Sequence, residues 1–166
     1  MSANEDEDVQ RISTPEQHAA LAHPVRQRLL FALKRQPSTI SRLAARLGVN
    51  KGGVSHHLKV LRDAGLIREA GTRTVRGGTE RYYRLTARHL LVDAPQPEGT
   101  AALLGAVAQE LDRSPTDHTL LLRHLRLSPA KAARFAEALT RLVDDLEEDP
   151  EGEPTHGILV TLYQQR

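Results

Sequence analysis

Apolar residues recur every three or four positions through the first 65 residues of the chain, in segments separated by proline, glycine or short polar side chains. This spacing predicts α-helices, because residues three and four apart share one face of a helix. Each segment also begins with a residue that can cap a helix, such as Thr14 before Pro15-Glu16-Gln17 and Asn50 before the fourth segment. Four helices are predicted: residues 15–23, residues 24–35, residues 38–48, and a fourth that begins at Asn50 and is closed by Gly65.

The pattern changes from helical spacing to alternation after Gly65. The stretches LIREAGTRTV and TERYYRLT alternate between apolar and polar residues on either side of Arg76-Gly77-Gly78. This indicates a β-hairpin with a glycine-rich tip. The third and fourth predicted helices are joined by a tight turn containing Gly48, which is typical of a helix-turn-helix. A helix-turn-helix followed by a hairpin makes a winged helix, predicted here for residues 14–92.

The last third of the chain has a different organisation. A Pro-rich segment, residues 93–99, predicts a linker, and residues 100–166 predict helix, strand, helix and strand in that order. Residues 1–13 are polar and acidic and predict a disordered tail. The expected fold is mainly α with β: a winged helix-turn-helix domain plus a C-terminal α/β region for dimerisation or effector binding.

Charge is strongly segregated along the chain, although the net charge is only +2. Residues 1–20 have one Arg against five acidic residues, and residues 91–166 have seven basic residues against 13 acidic ones. Residues 21–90 have 15 Lys and Arg against three acidic residues, a net charge of +12. A basic block between acidic flanks favours binding to a polyanion, although a charged run can also be a solvated face.

The fourth predicted helix combines an apolar face with a small, polar and basic one. On a helical wheel, Val54, Leu58 and Leu61 share the inner face with His57 beside them. The outward face has Lys51, Gly52, Ser55, His56, Lys59 and Arg62. In helix-turn-helix proteins the N-terminal residues of the second helix reach base edges in the major groove. Gly52 and Gly53 occupy that end, where the lack of a side chain lets the backbone approach DNA closely.

Other chemistry is less well supported by the sequence. His56 and His57 are adjacent, so they project about 100° apart on a helix and cannot readily bind one metal ion. The paired glycines lack the surrounding residues of a phosphate-binding loop. The chain has no Cys, and no GxSxG motif is present. No catalytic residue, metal or cofactor is therefore predicted, and the protein is not expected to be an enzyme.

The stretches LAHPVRQRLLFAL, STISRLAARLGVNKGGVSHHLKVLRDAGLI and TERYYRLT occur in this order within residues 19–86. Together they resemble the ArsR type of winged-helix transcriptional repressor. The resemblance implies a homodimer on double-stranded DNA, with one recognition helix per subunit and basic wing tips on the flanking backbone. It implies base contacts from Lys51, Gly52, Ser55 and His56, and it includes Gly53 in the DNA-binding part of the recognition helix. It implies phosphate or minor-groove contacts from Lys59, Arg73, Arg76 and Arg81.

The chain departs from the metal-sensing members of that family. Thiolate sensors have a Cys-rich motif in the recognition helix, and another group uses Asp and His ligands on a C-terminal helix. This chain has no Cys, and residues 129–148 include no His. It therefore resembles a longer, cysteine-free member that is not expected to sense metal.

The resulting hypothesis is a sequence-specific DNA-binding regulator, a repressor that binds an inverted-repeat operator as a homodimer. The alternative is a winged-helix protein-interaction module that does not read DNA, which would not need the concentrated positive charge. A small-molecule effector of unknown identity stays open as a further partner. The acidic N-terminus does not resemble a signal peptide and no apolar run approaches ~20 residues, so a cytoplasmic protein without a membrane partner is expected.

Overall fold

A computed structural model describes residues 9–92, 94–115, 118–150 and 152–165. The chain divides into two compact units, Met1–His118 and Thr119–Arg166. The elements run in the order β1 (Val9–Ile12), α1 (Pro15–Leu21), α2 (Pro24–Arg35), β2 (Ser38–Thr39), α3 (Ile40–Leu47), α4 (Lys51–Asp63), β3 (Ile67–Val75), β4 (Gly78–Leu85), β5 (His89–Val92), α5 (Pro97–Leu111) and α6 (Pro129–Asp144).

The four predicted N-terminal helices are confirmed, and so are the signals that begin and end them. Thr14 and Gln17 form a capping box at the start of α1. The Thr39 hydroxyl accepts the Arg42 N–H at the start of α3, and Gly48 ends that helix in the left-handed conformation with φ of 67°. A side chain at this φ would be strained, so glycine is the residue that allows the tight turn into α4.

The core of the first unit lies where these helices meet. Its most enclosed side chains come from several elements and include Ile12, Leu29, Leu43, Leu58 and Leu66. A polar contact also ties α2 to α3, because Arg28 donates to the Leu47 carbonyl at 2.9 Å. The core therefore fixes α4 from its inner side.

A three-stranded antiparallel sheet with the order β2-β4-β3 forms the wing. Strands β3 and β4 pair from Ile67–Leu85 at the base to Val75–Gly78 at the tip, with an irregularity between Glu69 and Gly71. Gly71 lies in the positive-φ region, at 127°, where a bulge favours glycine. The predicted hairpin is confirmed, and with the helix-turn-helix it makes the expected winged helix.

The disordered tail predicted for residues 1–13 is wrong for residues 9–12, which form β1. Strand β1 pairs in parallel with β5, with Val9 opposite His89 and Ile12 opposite Val92. Ile12 is completely buried and Val92 packs against the core, so burial of apolar side chains holds this end of the chain. Residues 1–8 of the predicted tail lie outside the described residues.

Helix α5 belongs to the first unit, whereas the sequence assigned residues 100–166 to a C-terminal region. The helix begins at Pro97, inside the predicted linker 93–99, and it packs against α1 and α2. Ala102 and Ala106 are buried in this contact because their small side chains allow close helix packing. The boundary between the two units accordingly lies near residue 118.

The second unit contains helix α6, and Ser128 caps it as the sequence predicts. The two strands predicted on either side of α6 are not formed: residues 118–128 and 154–165 contain no assigned strand. A β-ladder needs a neighbouring strand, and no strand of the described chain pairs with these segments. None of the helices in the described residues is both long and apolar enough to cross a membrane.

Candidate nucleic-acid interface

The start of α4 is fixed by Asn50. Its side-chain oxygen accepts the Gly53 N–H at 2.7 Å and satisfies one of the free donors of the first turn. A Cβ built on Gly53 would lie 3.2 Å from Val49 Cγ1 and 3.3 Å from Asn50 Oδ1. Gly53 therefore leaves room for the cap itself, which the sequence analysis did not anticipate.

Gly52 has a different environment. A Cβ there would lie 3.4 Å from Asn50 Oδ1, an ordinary contact, and the residue is exposed. Nothing inside the protein requires glycine at this position. The helix cap therefore explains glycine at position 53 but not at position 52.

The two faces predicted for α4 are confirmed. Val54, Leu58 and Leu61 are buried in the core. The outward residues Lys51, Gly52, Ser55, His56 and Lys59 are all exposed. Because the inner face is fixed in the core, the outward face is presented as a rigid surface.

A shallow depression runs along this outward face and reaches strand β4. It is lined by Gly52, Ser55, His56, Leu58, Lys59, Arg62 and Tyr83. The structure thus brings together four of the residues assigned to DNA contact, together with Arg62, which was not among them. Arg62 follows Lys59 by three residues in the helix, and this spacing is the sequence signal that places Arg62 on the same side of α4 as Lys59.

Two of the predicted phosphate-contacting cations are paired with carboxylates. Lys59 Nζ lies 2.6 Å from Asp63 Oδ2, and the hydrogen bond from Lys59 lowers the pKa of Asp63. Arg81 lies 3.2 Å from Glu69, and Arg62 lies 3.5 Å from the same carboxylate oxygen. Contacts to DNA phosphates from Lys59 or Arg81 therefore compete with these ion pairs.

The register of the hairpin separates the predicted wing contacts. Arg73 is opposite Glu80 and Arg81 is opposite Thr72, so Arg73 and Arg81 lie on opposite faces of the ladder. Arg76 lies at the tip, just before Gly77 with φ of 103°. The outer half of the wing thus carries Arg73 and Arg76, whereas Arg81 is held nearer the base by Glu69.

A histidine contact links the start of α2 to α4, and the sequence analysis did not identify it. The ring centroids of His23 and His57 are 4.5 Å apart, and His23 Nδ1 accepts the Val25 N–H at 3.1 Å. Burial is the main cause that lowers the pKa of both histidines, and the nearby charges of Arg26 and His56 lower it further. His23 also lowers the pKa of His57. Both rings are therefore neutral at neutral pH, which His23 requires in order to act as an acceptor.

His56 is exposed and its ring meets that of His57 edge-on, with centroids 5.5 Å apart. His57 is half-buried, so the two side chains differ in burial although their rings are in contact. Among the described residues, no group of three His, Cys, Asp or Glu side chains is arranged to hold a metal ion.

Comparison with known proteins agrees with this geometry. Residues 21–70 match the family described as "Helix-turn-helix domain". The chain is also 38% identical over 73 residues to a protein called "Transcriptional repressor SmtB homolog" from Synechocystis sp. (strain ATCC 27184 / PCC 6803 / Kazusa). The match covers 44% of this chain and 52% of the cyanobacterial protein, so the chain spans about half the length of that relative.

One solved structure with some similarity is that of a possible transcriptional regulator for arsenical resistance, which is 27% identical to this chain. The match covers 81% of this chain and all of that one, with a TM-score of 0.36. Another is the homodimeric winged helix-turn-helix domain of a possible ArsR-family regulator from Mycobacterium bovis. It is 25% identical and covers 60% of this chain and 82% of that one, again with a TM-score of 0.36.

The matched segment coincides with the part of the fold that the hydrophobic pattern predicts best. It contains α2, α3 and α4 and ends inside β3, and the remainder of the hairpin completes the wing. Residues 21–70 therefore match a helix-turn-helix domain, and together with the β3–β4 hairpin they form a winged helix.

Proposed function

We propose that the protein is a sequence-specific DNA-binding transcriptional regulator that acts as a repressor. The observation that carries this proposal is the outward face of α4, where Lys51, Ser55 and His56 are exposed on a helix whose opposite side is locked in the core. Such a helix fits the major groove, about 12 Å wide, and its polar groups match base edges. The similarity to a protein named as a transcriptional repressor supports repression of transcription rather than activation.

The charge distribution supports DNA as the polyanion. Residues 21–90 carry a net charge of +12, and most of this region belongs to the winged helix. Arg73 and Arg76 lie on the outer half of the wing, and neither forms an ion pair within the described part of the chain. In the proposed complex these arginines contact the DNA backbone beside the groove that α4 enters, while Lys51, Ser55 and His56 contact base edges.

The proposed regulator binds as a homodimer, because a single recognition helix covers too few base pairs for a unique genomic site. A two-fold axis between subunits requires an inverted repeat, with half-sites about one helical turn apart so that two α4 helices enter successive major grooves. The proposed action requires no enzymatic step.

Selection of bound fragments from genomic DNA of the source organism tests the proposal, followed by nuclease footprinting of the enriched fragments. The expected result is a small set of fragments, each with two protected half-sites in inverted orientation. Binding should also weaken steeply as salt rises, because phosphate contacts release counterions. A winged-helix interaction module would enrich no fragment above competitor DNA, and that result would exclude the proposal.

A further inference from the structure

The second unit exposes most of the large apolar side chains on the surface of this protein. Of the 16 large hydrophobic residues that are exposed in the described chain, 13 belong to Thr119–Arg166. Helix α6 contains no buried residue, although its apolar positions follow helical spacing. The unit has no disulfide, because the chain has no Cys.

A unit of 48 residues without a buried core does not gain enough from apolar burial to be stable by itself. Apolar surface of this extent on a single chain marks an interface with another molecule. The arrangement of residues on α6 indicates which molecule that is.

Helix α6 has two apolar sides. One side, which includes Ala136, Leu139 and Val143, lines a groove against residues 158–162 of the same unit. The other side has Phe135, Ala138 and Leu142, and Phe135 and Leu142 are 46% and 65% exposed.

Lys131 and Asp145 extend this second side at its two ends, so the full series is Lys131, Phe135, Ala138, Leu142 and Asp145. The steps of four, three, four and three residues are the spacing of a helix–helix seam. The small Ala138 lies at its centre, where two helices approach most closely. We refer to these five residues as the α6 seam.

The charges at the ends of α6 have the wrong sign for an isolated helix. Its first turn contains no acidic residue and carries Lys131, whereas its last turn contains Asp144 as well as the basic Arg141, and Asp145 follows as the C-cap. Positive charge at the N-terminus and negative charge at the C-terminus both oppose the helix macrodipole. An antiparallel neighbour with the same sequence relieves both, because its acidic end lies beside Lys131 and its basic end beside Asp145.

We propose that the α6 seam is an interface between two copies of this chain, which pack antiparallel across a two-fold axis at Ala138. In this arrangement Phe135 packs against the partner's Leu142, and Lys131 pairs with the partner's Asp145. Both contacts occur twice, as two-fold symmetry requires. The proposal deepens the homodimer of the proposed function by naming a surface that joins the subunits, outside the DNA-binding domain.

The absence of Cys from the sequence allows a direct test with single cysteines in the full chain. Ala138→Cys places one thiol beside its symmetry mate, and Ala133→Cys places the matched control on the opposite side of α6, also at an exposed alanine. Mild oxidation should convert A138C into a disulfide-linked dimer and leave A133C largely unlinked, since a disulfide requires Cα atoms within about 7 Å. Equal linking of the two variants, or no linking of A138C, would overturn the proposed interface.

Charge reversal in the A138C background tests the pairing of the seam ends. Lys131→Glu and Asp145→Lys should each reduce the yield of linked dimer severalfold, and the double reversal should restore it. Asp144→Lys is the matched control, because Asp144 lines the groove on the other side of α6 and its reversal should leave the yield unchanged. A double variant that links no better than the single ones would contradict the Lys131–Asp145 pair. All of these yields are measured without DNA. The proposed interface can therefore be contradicted while DNA binding is confirmed, or confirmed while DNA binding is contradicted.

Discussion

Gly52 and Gly53 are adjacent in the sequence, but the structure separates their roles. Gly53 makes room for the Asn50 cap, with 3.3 Å between a built Cβ and Asn50 Oδ1. Gly52 is exposed and has no such neighbour closer than 3.4 Å. The sequence predicts that glycine stands at the leading end of α4, but it does not distinguish a glycine needed for capping from one available to a partner.

Gly52→Ala should leave the fold intact and weaken DNA binding. The free energy of unfolding should stay the same or rise by up to about 1 kcal/mol, because alanine favours a helix over glycine. The added methyl group should reduce affinity for DNA severalfold by holding the helix end away from the groove. Chemical unfolding and DNA titration of the same variant measure both effects.

Gly105→Ala in α5 is the matched control, because a Cβ there meets nothing within 4 Å. Its free energy of unfolding should likewise stay the same or rise by up to about 1 kcal/mol, whereas its affinity for DNA should stay near that of the original chain. If Gly52→Ala binds DNA as well as this control does, Gly52 does not provide clearance for the groove.

The contact between His23 and His57 predicts a loss of stability in acid. Burial lowers the pKa of both rings in the folded protein, so the unfolded chain binds protons more readily. The free energy of unfolding should therefore fall as the pH drops below about 6.5, the ordinary pKa of His. Arg26 and His56 face the same rings and add to the effect, since both lower these pKa values.

Urea unfolding at pH 7.5 and pH 5 measures this dependence. His57→Leu removes one of the two titrating rings, together with the buried Nδ1 that has no hydrogen-bond partner in the described structure. This variant should show a smaller difference in the free energy of unfolding between the two pH values than the original chain does. An unchanged difference in His57→Leu would show that this histidine does not couple folding to pH.

At the scale of elements, local signals predicted α1 to α4 and the β3–β4 hairpin. Caps such as Thr14 and Asn50, the turn at Gly48 and the change from helical spacing to alternation all act within a few residues. These signals depend on nearby backbone groups, so they can be read from the sequence without knowledge of the rest of the fold.

The elements that were missed depend on residues far away in the sequence. Strand β1 exists because residue 9 pairs with residue 89, and short polar stretches give no local sign of such a pairing. Helix α5 was predicted, but its membership of the first unit depends on packing against α1 and α2. The ion pairs of Lys59 and Arg81 likewise depend on side-chain geometry, although Lys59 and Asp63 have the helical spacing of an i,i+4 pair.

The wing should contribute binding energy without sequence preference. Arg73→Ala or Arg76→Ala should weaken binding to the selected site and to unrelated DNA by the same factor. Each should also reduce the slope of log affinity against log salt by about 1, because one phosphate contact is lost. Arg84→Ala, at the base of the same hairpin opposite Arg68, is the control and should have a smaller effect. An effect of the tip arginines on one DNA sequence only would assign them to base reading instead.

At the scale of the whole molecule, charge and apolar surface are divided between the two units. The first unit contains the basic block of residues 21–90 and a well-packed core. The second unit contains most of the exposed apolar side chains and the acidic run that follows α6. The proposed division of labour follows from this contrast: the first unit binds DNA, and the second joins two copies of the chain through the α6 seam.

The central claim is that the outward face of α4 reads the base sequence, and the ratio of affinities for a selected site and its scrambled version tests it most directly. Lys51→Ala combined with His56→Ala should reduce this ratio at least tenfold, since each good base contact contributes about 1–3 kcal/mol of discrimination. Both residues are exposed, so folding should be preserved. If the ratio stays equal to that of the original chain while the protein remains folded, α4 is not the element that reads DNA.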